Sequence, residues 1–222
     1  MDRADDLALM SSGGKDSVAA CMALAGTGRP RWLITTCGET DERVAIHGTR
    51  RGVIELQAEQ LGAEPVIVPL PEACDNQTYR ARVRAAVEPL IGQGLRRLAF
   101  GDLFLDDVRA FREAQCRDLG LRAEFPLWGQ STAKLAWRLA DAGIDARICS
   151  VDAERVDPAN LGRRWTPKWL ETLGPGIDPC GENGEFHTLV VDAPVMRSPI
   201  DVVPGQVSIS FGRFHMLDLR PL

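Results

Sequence analysis

The segment Leu7 to Ser17, Leu-Ala-Leu-Met-Ser-Ser-Gly-Gly-Lys-Asp-Ser, constrains this chain more than any other. An apolar run enters a glycine pair, and residues 18–25 then read as a helix. A strand that turns on glycines and reopens as a helix points several unpaired backbone N–H groups and the positive helix end at one spot, which suits a phosphate. Gly13 and Gly14 carry no Cβ, so the backbone can turn sharply and approach a ligand closely. Lys15 offers a point charge for the outer phosphates of a nucleotide. Ser12 and Ser17 add hydroxyl donors. Asp16 is the candidate metal ligand, because Mg2+ at nucleotide sites takes one or two carboxylates together with phosphate oxygens. The lysine follows the glycine pair and precedes an acid and a serine, so the spacing is not that of Gly-x-x-x-x-Gly-Lys-Ser/Thr.

Short apolar runs alternate with amphipathic helical patterns through the first half, which predicts a parallel sheet covered by helices, an α/β fold. Strands are expected at residues 31–36, 65–70, 97–100 and 121–125, and helices at 49–61, 79–91 and from Val108 to a stop at Gly120. Ligands of such sheets bind beyond the carboxyl ends of the strands, where the loops carrying Ser12 to Ser17, Cys37 to Thr49 and Gly101 to Asp107 converge. Past Pro126 the texture changes. A capped helix over 131–142 and a strand over 146–151 are followed by residues 157–179, with four prolines, two tryptophans and little periodicity. The expected division is a nucleotide-binding domain over 1–126 and a smaller C-terminal α+β domain over 127–222 that binds the substrate.

Composition narrows the function classes. Apolar residues make up 45% and charged residues 26%, the balance of an ordinary globular protein, and no run reaches the roughly 18 apolar residues that cross a bilayer. The start, Met1 to Asp6, is acidic where a secretory leader would be basic, so a cytoplasmic location is expected, with no membrane partner. A net charge of −5 argues against broad nucleic-acid binding. The six cysteines are scattered without zinc spacing and read as reduced core residues.

A second motif spans Pro179 to Pro194, Pro-Cys-Gly-Glu-Asn-Gly-Glu-Phe-His-Thr-Leu-Val-Val-Asp-Ala-Pro. Its acids, asparagine and glycines form a tight turn at the mouth of a strand, either a grip on a polar substrate or a plain solvated hairpin turn. With Ser12 to Ser17 it carries a resemblance. The first string is similar to the PP-loop of the ATP pyrophosphatase superfamily, whose members cleave ATP between the α and β phosphates. The two together resemble the diphthine-ammonia ligase family. The likeness extends to His47 ahead of the Leu56-Gln57-Ala58 helix, to Pro126-Leu127-Trp128-Gly129 and to Leu161-Gly162-Arg163.

The resemblance implies an adenine nucleotide alpha hydrolase-like domain with a smaller C-terminal domain. It implies ATP and magnesium, and adenylation of a small-molecule or protein-bound carboxylate followed by attack of ammonia, leaving an amide, AMP and pyrophosphate. It puts catalysis on Lys15, Asp16, Glu185 and His187. Nucleotide contacts fall to Ser12, Gly13, Gly14, Lys15, Asp16 and Ser17, and substrate contacts to His47, Glu182, Asn183, Gly184, Glu185, His187 and Thr188; Asp102, which follows a strand at the binding edge, is by its position a further nucleotide-site candidate, for magnesium or ribose. One departure matters. Where ligases acting on diphthine carry Glu-Gly-Gly-Glu-Phe/Tyr-Glu-Thr, this chain has Glu-Asn-Gly-Glu-Phe-His-Thr, exchanging an acid for an imidazole that titrates near neutrality. That form resembles a bacterial subgroup associated with cobalamin metabolism, so the expected acceptor is not diphthine.

Other residues carry weaker readings. Asp106 and Asp107 are expected to cap a helix, Trp128 and Trp137 to pack, His215 to be structural, and Arg163 and Arg164 to be possible neutralisers of pyrophosphate. Two competing functions stay open, a PP-loop enzyme of the tRNA-thiolating kind and a nucleotide-binding module without turnover. A homo-oligomer is also open.

Overall fold

The computed structural model describes residues 6–222; the acidic start read above lies, apart from Asp6, outside the described residues. The first sheet holds β1 (Leu7–Met10), β2 (Trp32–Gly38), β3 (Glu64–Leu70), β4 (Arg97–Ala99) and β5 (Arg122–Glu124). Its order is β3-β2-β1-β4-β5 and every pairing is parallel. Helices α1 (Lys15–Leu24), α2 (Arg51–Leu61), α3 (Asn76–Gly92) and α4 (Asp106–Asp118) make the crossovers. Because chain direction across the sheet reverses between β3 and β4, right-handed crossovers send α1 and α2 to one face and α3 and α4 to the other. The core divides accordingly. Leu7 and Leu9 pack with Val18, Ala19 and Leu24 of α1, whereas Ala8 packs with Val83 and Val87 of α3 and Cys116 of α4. Strand β1 is therefore apolar on both faces, as a central parallel strand must be.

The remainder comprises α5 (Thr132–Asp141), β6 (Asp145–Asp152), a single 3-10 turn at Pro158–Asn160, β7 (Arg164–Trp165), α6 (Pro167–Leu170), β8 (Phe186–Asp192), β9 (Val202–Ser210) and β10 (Phe214–Pro221). These strands form an antiparallel sheet ordered β7-β6-β10-β9, with β8 also paired along β6. One core runs through both sheets: Trp165, Phe186 and Val190 belong to the cluster that contains Leu7 and Val18.

Strand β8 reaches the glycine turn itself. The Val190 N–H donates to the Gly13 carbonyl at 3.0 Å, and buried Gln57 of α2 donates from Nε2 to Gly13 O at 3.0 Å and Val190 O at 2.8 Å. Each such buried bond stabilises by about 1 kcal/mol and would cost more if half of it were removed.

Several expectations shift. Helix α1 starts at Lys15 rather than Val18, with Gly14 as an N-cap that has no side chain to signal it. Asp106 and Asp107 make no capping bond; they occupy the first turn of α4 behind Leu105, where their charge favours the helix dipole. Strands β7 and β9 were not anticipated. The former is two residues long, and the latter carries Pro204 and Gly205 and leaves Val207 and Ile209 exposed, as an edge strand permits. Trp137 is exposed rather than packed, while Trp165 and Trp169 are buried. Arg164 pairs with Asp145 at 2.9 Å and Arg163 is exposed, and neither lines the cavity described next.

Candidate functional site

A cavity of about 350 Å3 opens at the carboxyl end of the parallel sheet, between the loops that follow β1 and β4. The sheet order reverses between these two strands, so their loops diverge and leave a crevice. Gly13 makes the first turn possible with φ +80°, and a Cβ there would lie 2.6 Å from Ile54 Cδ1. A Cβ on Gly101 would lie 3.0 Å from the Asp16 backbone, so only glycine lets the β4 loop come this near the first turn of α1. In that first turn the amides of Asp16 and Ser17 have no intrahelical acceptor, and they face the end where the helix dipole is positive.

Lys15 is almost wholly buried, yet its ammonium borders the cavity. It donates to Asp16 Oδ2 at 2.7 Å and to the Cys180 carbonyl. Burial alone would lower its pKa, but the negative charge of Asp16, with Cys180 and Glu182, outweighs burial and the net shift is upward. Asp16 Oδ1 is buried and has no hydrogen-bond partner. A carboxylate with one oxygen engaged and the other turned inward without a partner fits a hard cation that takes its remaining ligands from phosphate and water. No group of three or more His, Cys, Asp or Glu that could hold a metal ion exists among the described residues.

The strand β8 wall meets this loop directly. Thr188 Oγ1 accepts from the Lys15 N–H at 3.0 Å. His187 and His47 lie side by side with ring centroids 4.5 Å apart. Burial, with Lys15 nearby, pushes the His187 imidazole down to about 4. His47 is held well below its ordinary range by burial, then by His187, with Lys15 adding to both. Both rings are neutral at pH 7. Glu182 is shifted upward by burial and then by the charge of Asp16, and Asp102 is shifted upward by burial, which outweighs the opposing charge of Arg112.

Of the residues expected at the site, the cavity gathers Ser12, Lys15, Asp16, Ser17, His47, Asp102, Glu182, Gly184, His187 and Thr188. Gly13 and Gly14 shape the turn from behind. Glu185 and Asn183 are corrections. The Glu185 carboxylate is fully buried away from the cavity, accepting from the backbone amides of Asp178 (2.9 Å) and Asn183 (3.0 Å) and pairing with Arg155 at 3.0 Å. The Asn183 side chain donates to the same carboxylate at 3.2 Å. Burial would raise the Glu185 pKa, but these amides and Arg155 outweigh it and hold the group ionised. Glu185 is thus the internal strut of the turn rather than a group facing substrate. The sequence reading also missed a whole wall of the cavity, where Tyr79, Phe100, Leu105 and Arg112 face inward from α3, the end of β4 and α4.

A parallel β3-β2-β1-β4-β5 sheet with a cavity at the point of reversal is a Rossmann-like α/β fold, and the Ser-Gly-Gly-Lys-Asp-Ser turn between its first strand and helix narrows it to the PP-loop class. Residues 6–123 match the diphthamide synthase N-terminal domain and residues 131–216 the diphthamide synthase C-terminal domain; the chain belongs to this family. It is similar to diphthine–ammonia ligases of Schizosaccharomyces pombe (31% identity over 43% of this chain and 16% of that protein) and Bos taurus (30% over 50% and 43%). The ligase of Homo sapiens is 29% identical over 50% of this chain and 44% of its own. The chain therefore spans less than half the length of these relatives. A solved structure described as a predicted subunit of tRNA methyltransferase from Methanocaldococcus jannaschii is also similar, at 17% identity, over 65% of this chain and 78% of its own, with a TM-score of 0.40. No helix among the described residues is long and apolar enough to cross a membrane.

Proposed function

We propose that this chain is an ATP-dependent ligase that adenylates a carboxylate and joins it to ammonia, releasing AMP and pyrophosphate. The observation that carries the reading is the convergence of the α1 amides, Lys15 and Asp16 with His187 and Thr188 of β8 in one cavity. The β and γ phosphates lie on the Ser12 to Ser17 turn, bound by backbone amides and Lys15. Lys15 is held by Asp16 and the Cys180 carbonyl, so it reaches phosphate by exchanging one of these partners. Asp16 would hold Mg2+, which when bound would offset phosphate charge. Asp102, which lines the same cavity at the start of the β4 loop, takes the ribose. With pyrophosphate anchored at the turn, the acceptor carboxylate attacks the α phosphorus in line, and catalysis consists of positioning and charge stabilisation.

The domain division at 126/127 belongs to the same reading, the first part supplying the phosphate turn and the second supplying β8. His187 and His47, as neutral rings, contact the acceptor where the ligases acting on diphthine carry an acid, and this loss of a negative charge supports an acceptor other than diphthine. A thiolating role is disfavoured by Cys180, the one cysteine lining the cavity, whose thiol burial pushes up to about 12, away from a reactive thiolate.

The test is to incubate the protein with ATP, magnesium, ammonia and pooled carboxylates, cobalamin precursors among them, and to follow AMP, pyrophosphate and a new amide by mass. AMP and amide are expected. Formation of ADP and inorganic phosphate, or nucleotide binding with no turnover on any acceptor, would overturn the reading.

A further inference from the structure

The proposed reaction uses the turn, Asp102 and the β8 wall and gives no part to one half-buried cation of the cavity, paired loosely with Asp102. Arg112 of α4 lines the cavity, as do His187 and Thr188 of β8. Its guanidinium has five N–H donors, and its one hydrogen bond runs from Nη1 to the Tyr79 hydroxyl at 2.7 Å. The buried Nε has no hydrogen-bond partner, and the nearest carboxylate, Asp102 Oδ2, is 4.0 Å away. The group lies over the Phe100 ring at 5.2 Å, so it is fixed from below by an aromatic face and from the side by a phenol. A held guanidinium with most of its donors unspent, on the wall of a cavity, is built to receive an anion.

Which anion follows from the layout. The phosphate turn is hydrogen-bonded to β8 through Thr188, whereas Tyr79 and Arg112 come from α3 and α4 on the other face of the sheet. In-line displacement requires the entering oxygen to stand on the side of the α phosphorus away from the departing pyrophosphate. With pyrophosphate on the turn, that side is assigned to the wall that α3 and α4 contribute, which carries Arg112. We propose that Arg112 binds the carboxylate of the acceptor and aims its oxygen at the α phosphorus, with Tyr79 setting the guanidinium plane. The attacking oxygen forms the P–O bond as the bond to the β-phosphate oxygen breaks, and the electron pair leaves with pyrophosphate. The inference rests on the phosphate-turn reading above.

It can be tested without knowing the full acceptor. The nucleotide is α,β-methylene ATP with Mg2+, which cannot be cleaved at the α–β link, and the probes are acetate, succinate and glutarate. The readout is the arginine side-chain N–H spectrum, with Arg112 assigned by the signal lost in Arg112→Lys. A saturable shift of the Arg112 signal by a carboxylate is expected. Arg112→Gln should weaken carboxylate binding about tenfold or more while leaving analogue affinity unchanged, and Tyr79→Phe should weaken it less. A silent Arg112 signal on a protein that binds the analogue normally would overturn this inference alone. So would a loss of analogue affinity in Arg112→Gln, which would place a nucleotide phosphate on the guanidinium. No binding of the analogue at all would overturn the phosphate-turn reading and this one with it.

Discussion

The turn after β1 and the turn before β8 are built from the same materials and do opposite work. Each is a tight bend with glycine at positive φ, Gly13 in one and Gly181 and Gly184 in the other, and each contains acids. In the first, backbone amides and the Lys15 and Asp16 side chains border the cavity, and one oxygen of Asp16 is left without a partner. In the second, the most buried acid, Glu185, is spent entirely on internal bonds to Asp178, Asn183 and Arg155. The difference lies in what each acid must satisfy. The α1 turn ends in a helix whose first amides want an external anion, so its side chains can stay open to a ligand. The β8 turn has no helix behind it, and its own amides need an acceptor, which Glu185 provides.

The largest effect expected from this contrast is on chemistry. Lys15→Met, which keeps the stem and removes the charge, should lower AMP formation by about 100-fold or more, as loss of a preorganised charge partner does. Glu185→Ala should act the other way round, costing about 2–4 kcal/mol of stability because two backbone amides lose their acceptor, while active protein that remains folded keeps its affinity for ATP. Urea unfolding and product assays on the two variants separate the roles. A stable but inactive Glu185→Ala protein would move that carboxylate from the scaffold into the reaction.

How much of this was legible beforehand varies with the kind of residue. The turn at Ser12 to Ser17 and the alternation of β1 to β5 with α1 to α4 could be read because glycines, a lysine and apolar runs are local signals. The C-terminal half was less open. Strand β9 is an edge strand with a proline and exposed apolar residues, so it lacks the alternation that marks a half-buried strand. Glu185 was misjudged because a sequence shows an acid on a turn but not the direction its carboxylate takes. The juxtaposition of His47 with His187, from the β2–α2 loop and β8, depends on the packing of the two sheets against each other. Tyr79 and Arg112 were invisible for a further reason: each sits in an ordinary helical pattern, and only the reversal of sheet order brings them to one cavity.

A middle-sized effect concerns pH. The His187 imidazole stays neutral in the folded protein down to about 4, against an ordinary value of 6.5, because it is buried beside Lys15. Between those values the unfolded chain takes up a proton that the native state refuses, so stability is complete above the higher value and falls as pH drops through the window. His187→Gln should remove this part of the acid sensitivity, about 1–2 kcal/mol between about pH 7 and about pH 5, leaving the contribution of His47, which has the same sign. The check is the urea midpoint of both proteins at each pH. Equal slopes would mean that His187 is protonated in the native cavity, and the neutral wall ascribed to β8 would be lost.

The smallest effect tests the joint between the two turns. Thr188 Oγ1 accepts the Lys15 N–H, an amide at the start of α1 that has no intrahelical acceptor, so the strand that follows the scaffold turn holds the phosphate turn by its first helical residue. Thr188→Val keeps the shape and removes that acceptor, and should cost about 1 kcal/mol. If the bond served stability alone, the turnover of folded protein would not change. If it sets the direction of the α1 amides toward phosphate, affinity for ATP falls while the urea slope stays as in the parent, and Thr188→Ser, which restores the hydroxyl, recovers it. We expect the second outcome. The Gly13 carbonyl is already held by Val190 and Gln57, so the turn keeps its place without Thr188 and loses only its aim.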